Sequence, residues 1–171
     1  MQIALSAATS LCVLVLLVGA NLQAQTASQA PPTPQERIKR SWNGAHQKVL
    51  TMAEDFGEDK YGFKATPETR SFGEVVLHVA QVAQAVAEIS KGREGGLPKI
   101  LKELEPEYKT FTSKADAVAK LKKAMEESRP AAEAEDNARL VGLIEHAGEH
   151  YGQLVVYYRL NGLVPPASRG Q

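Results

Sequence analysis

The sequence contains a single cysteine, Cys12, and no charged residue before Glu36. The stretch from Ala4 to Ala20 is almost entirely apolar and is followed by a small residue, Ala24. A charge-free apolar segment that leads into small residues near the N-terminus is typical of a secretory signal peptide. We therefore predict a signal peptide over residues 1–24, which would be removed together with the cysteine.

The signal peptide has consequences for compartment and chemistry. We predict a bacterial periplasmic or secreted protein that has no stable membrane span once the signal is cleaved, because the apolar run is too short to cross a bilayer comfortably. The run lacks a preceding Lys or Arg, which leaves an uncleaved N-terminal anchor as the alternative. Residues 25–32 have the composition of a flexible linker. Without Cys12 the mature chain has neither a disulfide nor a thiolate ligand.

The sequence also lacks an excess of either charge. Lys plus Arg and Asp plus Glu number 20 each, and no basic run stands out. A nucleic-acid-binding protein usually carries a basic patch that meets the phosphates. We therefore predict no nucleic-acid partner.

No two-residue alternation of apolar and polar side chains is present, so β-strands are not predicted. Apolar residues instead recur every three or four positions, which is the period of an amphipathic helix. Three such stretches begin with a residue that can cap a helix, at Thr33, Ser71 and Ser113, and a fourth begins near Asn137. We predict an all-α fold, a four-helix bundle that occupies residues 33–168.

Glycine and proline are concentrated between the second and third predicted helices. Residues 92–112 include two adjacent glycines and two prolines, Pro98 and Pro106. Because both residue types interrupt regular structure, we predict a long connection here, with a short helical turn at residues 99–105.

The most informative residues are histidines. On a helix, His146 and His150 project from one face about 40° apart. His78 lies at the edge of the apolar stripe of the second predicted helix, so all three rings point toward the bundle. Three neutral imidazoles are the ligand set of a catalytic zinc or related ion, with a further position open for water or substrate. The fourth histidine, His46, falls about 70° from the centre of the first helix's apolar stripe, and we predict a surface or rim position for it.

Two neighbours of the histidine pair are candidate catalytic residues. Glu149 completes an H-x-x-E-H pattern in which a glutamate acts as general base in some zinc peptidases, but the residues after His150 include no acid that could serve as the third ligand. Glu149 is then either an acid/base group beside the metal or an exposed carboxylate. Gln153 lies about 20° from His146 on the helical wheel, where it could contact a metal-bound water or orient a ring.

Two segments resemble the DinB-like (DinB/YfiT-like) superfamily of helical metalloenzymes. They are residues 63–80, FKATPETRSFGEVVLHVA, and residues 146–166, HAGEHYGQLVVYYRLNGLVPP, and the similarity covers about residues 34–168. The resemblance implies a four-helix bundle, often a homodimer, with a divalent metal held by His78 and by the H-x-x-x-H pair. Characterised relatives include transferases and isomerases that use small thiol cofactors.

Three functional hypotheses follow. The first is an exported metal-dependent enzyme, of hydrolase or transferase type, that acts on an unidentified small molecule and holds Zn, Ni or Fe at His78, His146 and His150. The second is a non-catalytic metal-binding or scaffold bundle. The third is a small-thiol-dependent transferase, which fits poorly with export because low-molecular-weight thiols are chiefly cytosolic.

Overall fold

The computed structural model describes residues 31–170, and the predicted signal peptide, with Cys12, lies outside them. The described residues are mostly helical and contain no β-strand. Its α-helices, in chain order, are α1 (Pro34–Asp55), α2 (Phe72–Ser90), α3 (Gly96–Tyr108), α4 (Lys114–Glu127), the short α5 (Arg129–Glu133) and α6 (Val141–Leu160). Short 3-10 segments occur at Glu58–Lys60, Asn137–Leu140 and Pro166–Ser168. The prediction of an all-α fold is confirmed.

The helix starts follow local sequence signals. Thr33 and Glu36 form a reciprocal capping box at the start of α1, and Ser71 and Glu74 form another at the start of α2. Ser113 caps α4 through the backbone amide of Asp116. In each case a side-chain oxygen accepts a hydrogen bond from an amide that has no partner inside the helix.

One predicted connection is instead mostly a helix. Residues 96–108 form α3, which is much longer than the predicted turn at residues 99–105. Pro98 lies in the first turn, where a missing amide hydrogen costs no helical hydrogen bond, and Pro106 lies in the last turn. Ile100 and Tyr108 are buried, so packing of one face outweighs the glycine and proline content.

The core lies between the longer helices of the described residues. α2 contacts α3, α4 and α6, while α1 contacts α4 and α6. Aromatic rings fill one end of this core, where Phe56 stacks on Phe72 with ring centroids 4.0 Å apart and Tyr158 lies 4.8 Å from Phe56. Burial of these aromatic side chains stabilises the packing of α2 against α6 at this end of the core.

Among the described residues, α2 is the one helix long and apolar enough to cross a membrane by length and composition alone. Its most apolar stretch is 72% buried within the fold. Because α2 packs on α3, α4 and α6, this apolar surface is already covered by other helices.

Candidate metal centre

The structure brings three histidines from two helices together. His78 lies in the middle of α2, and His146 and His150 lie one turn apart on α6. The Nε2 atom of His146 is 3.1 Å from the Nε2 atom of His78 and 3.1 Å from that of His150. Candidate ligand atoms of the three side chains all lie within 4.8 Å of one another. This group could hold a metal ion.

The geometry suits one shared cation. In a tetrahedral zinc site with Zn–N distances of 2.0–2.1 Å, two ligand nitrogens lie about 3.3 Å apart. Both 3.1 Å separations are close to that value. The rings are steeply inclined to one another, at 68° to 87°, so each can direct its nitrogen to a common point without stacking.

A chain of hydrogen bonds fixes the orientation of His150. The backbone carbonyl of Arg70 can only accept, so the Tyr157 hydroxyl, 2.6 Å away, donates its proton to it. The Tyr157 oxygen then accepts from Nε2 of Gln153 at 2.9 Å, which turns Oε1 of Gln153 toward Nδ1 of His150 at 3.1 Å. In the neutral ring the proton therefore lies on Nδ1, and the lone pair on Nε2 faces His146.

Burial and nearby charges favour the neutral form of two of the rings. Burial lowers the pKa of His78 to about 4, and the positive charge of Arg70 acts in the same direction. Burial also lowers the pKa of His146, with a smaller contribution from His150. A metal ligand must be deprotonated, so low pKa values leave these nitrogens available near neutral pH.

A cleft of about 480 Å³ opens beside His78, and we call it the His78 cleft. Its walls are formed by His78 and its neighbours on α2, by the loop that carries residues 64–70, and by α3. The predicted connection that turned out to be a helix thus forms one wall of the cleft. A small molecule could enter here and reach the ring of His78.

The other predicted site residues fall in different places. Gln153 hydrogen-bonds His150, a contact that the predicted role of orienting a ring requires. Glu149 is exposed and lies outside the group of candidate ligands.

The prediction that His46 lies at the surface or rim is wrong, because only 2% of the residue is exposed. Its Nδ1 donates to the carbonyl of Trp42 at 2.9 Å, and their rings lie 4.2 Å apart. α1 is buried over a wider arc than a single stripe because both α4 and α6 pack on it.

Sequence reasoning missed two participants. The backbone carbonyl of Arg70 ends the hydrogen-bond chain, and no side-chain pattern could have identified it. Gln81, one turn after His78, donates to the carbonyl of Leu101 at 2.7 Å, and its side chain partly opposes the lowering of the His78 pKa. Its i+3 spacing from His78 was the available signal.

Comparison of the sequence with protein-family models and with curated proteins found no match.

Proposed function

We propose that this protein is a metal-dependent enzyme of the DinB-like type, in which His78, His146 and His150 hold one divalent cation. The convergence of their imidazole nitrogens, two pairs of which are 3.1 Å apart, is the observation that supports the proposal most directly. Three neutral nitrogen ligands accept zinc, nickel or iron. When bound, such a cation would act as a Lewis acid toward an oxygen of water or substrate, which suits hydrolase or transferase chemistry.

The roles of the surrounding residues follow from their contacts. Gln153 and Tyr157 position His150 by holding the proton on its Nδ1, so that Nε2 is free to bind. Burial around His78 excludes water from one side of its ring and favours the neutral form. The His78 cleft provides access for substrate, and this favours an enzyme over a non-catalytic metal-binding bundle.

The wider assignment belongs to the same proposal. We infer that α1, α2, α4 and α6 form the four-helix bundle of the DinB-like superfamily, with α3 as an addition that packs along α2. Export by a signal peptide, and assembly as a homodimer, are further parts of the proposal. They rest on the N-terminal sequence and on the resemblance, respectively.

Metal analysis of the purified protein tests the central claim. After reloading with zinc, nickel or iron(II) and removal of excess metal, we expect close to one ion per chain. His150→Gln should lose most of this metal, whereas His46→Gln provides a matched control because His46 lies outside the ligand group. Circular dichroism should confirm that both variants fold. A wild-type protein that retains well under one ion per chain with every metal would contradict the proposal.

A further inference from the structure

The charges that line the His78 cleft are unequally paired. Two of its lysines have carboxylate partners in the wall: Lys64 lies 3.7 Å from Glu74, and Lys109 lies 3.2 Å from Glu105. These side chains are 33% to 71% exposed, so solvent weakens both ion pairs. The other two cations of the cleft, Arg70 and Lys102, have no ion pair within the described part of the chain.

Arg70 lines the same cleft as His78. Glu68 also lines this cleft without an ion pair among the described residues, and its side chain is exposed, as are those of Arg70 and Lys102. The four basic side chains of the cleft outnumber its three acidic ones. The backbone of Arg70 is also held in place, because its carbonyl accepts from Tyr157 and the next residue caps α2.

Lys102 reaches the His78 cleft from a different helix, α3. It follows Leu101, whose carbonyl accepts a hydrogen bond from Gln81 of α2. α3 is thereby attached to the helix that carries His78, and Lys102 is placed on the same cleft as Arg70. A guanidinium group and an ammonium group that face one cavity from two elements favour a ligand with a compact negative charge, since both groups donate hydrogen bonds to oxyanions.

We propose that the His78 cleft binds a small oxyanionic substrate, a carboxylate or a phosphate ester, whose charged group is held by Arg70 and Lys102 while its reacting portion faces His78. This inference rests on the proposed function, because the cation held by the histidines supplies the reaction centre. It goes further in naming the chemical class of the substrate.

Anion titrations of metal-loaded protein test the inference. The cobalt(II)-loaded protein is titrated at low ionic strength with acetate, with inorganic phosphate and with the neutral analogue acetamide. Binding is followed by visible absorption of the cobalt and by isothermal titration calorimetry. We expect an oxyanion to bind more tightly than acetamide, and the preferred oxyanion identifies whether carboxylate or phosphate is recognised.

Three variants locate the binding group. Arg70→Gln and Lys102→Gln should each weaken oxyanion binding by about tenfold, which corresponds to the loss of one charged hydrogen bond. Lys99→Gln is the matched control, because Lys99 lies on α3, is exposed and does not line the cleft. Metal content measured on the same samples should equal that of the wild type in all three variants.

The outcomes separate this inference from the proposed function. Full metal content with unchanged oxyanion affinity in Arg70→Gln and Lys102→Gln would overturn the inference alone, as would equal binding of acetamide. A protein that takes up cobalt, zinc, nickel and iron(II) each at well under one ion per chain would overturn the proposed function. In that case, calorimetry on the metal-free protein still decides whether Arg70 and Lys102 bind an oxyanion.

Discussion

Gln153 provides the sharpest test of how the candidate metal site is built. Gln153→Leu replaces the amide by an alkyl group of similar size and removes the acceptor that faces Nδ1 of His150. The His150 ring then loses the hydrogen bond that fixes both its orientation and the position of its proton. Loss of such a partner of a metal-ligating histidine typically lowers metal affinity by about 10–100-fold. That range corresponds to about 1.4–2.7 kcal/mol of binding free energy.

Tyr157→Phe tests the same hydrogen-bond chain at the residue that follows Gln153, further from the histidines. It removes the hydroxyl that joins Gln153 to the carbonyl of Arg70 and leaves that carbonyl without its donor. Because Gln153 would keep its contact with His150, we expect a smaller loss of metal affinity than for Gln153→Leu. The double variant should lose less affinity than the two single losses combined, since residues of one hydrogen-bond network are not independent.

The assay is a zinc competition titration against a chromophoric chelator at fixed pH. Gln153→Glu keeps an acceptor opposite Nδ1 and should retain affinity, while Gln47→Leu makes the same chemical change at an exposed position of α1 and should have no effect. A Gln153→Leu protein whose zinc affinity lies within twofold of the wild type would refute the positioning role of Gln153.

Three further predictions concern stability. Chelation of the metal should lower the melting temperature by about 5–10 °C, because free metal at 100 times its Kd raises the free energy of unfolding by about 2.7 kcal/mol. An unchanged melting temperature would show that no ion is bound. For the metal-free protein, the free energy of unfolding should fall as the pH drops from about 6.5 to about 4, because burial lowers the pKa of His78 to about 4 and the unfolded chain takes up the proton first. Urea denaturation at several pH values measures this decline, which should be shallower in His78→Gln. Gly73→Ala should cost about 1–3 kcal/mol of unfolding free energy, because the added Cβ would overlap the Phe111 ring, and an unchanged urea midpoint would contradict it.

Much of the fold could be predicted because its signals are local. The capping boxes at Thr33 and Ser71 each depend on a pair of residues three positions apart, and both occur where the sequence placed them. Gly162, which has a φ of 71°, follows the C-cap of α6, where a left-handed residue stops a helix at little cost when it is glycine.

The features that escaped prediction depend on distant contacts. α3 exists because Ile100 and Tyr108 are buried against other elements, and its own sequence, rich in glycine and proline at the ends, indicates a loop. His46 is buried because two helices pack on α1 from different sides, which a single helical wheel cannot represent.

The candidate metal centre falls between these two cases. Helical spacing alone places His146 and His150 on one face, but the approach of His78 depends on how α2 meets α6. The hydrogen-bond chain that ends at the carbonyl of Arg70 depends on the path of a loop, and side-chain patterns carry no information about a backbone oxygen.

The backbone oxygen of Arg70 couples the lining of the His78 cleft to the orientation of His150. The loop that places Arg70 in the cleft also holds Tyr157 by a hydrogen bond, and Tyr157 orients His150 through Gln153. If the histidines bind a metal ion as proposed, grafting another loop at residues 64–70 to redesign selectivity would therefore also alter the metal affinity. Libraries built on this scaffold should vary the Arg70 side chain while preserving the course of the main chain through that position.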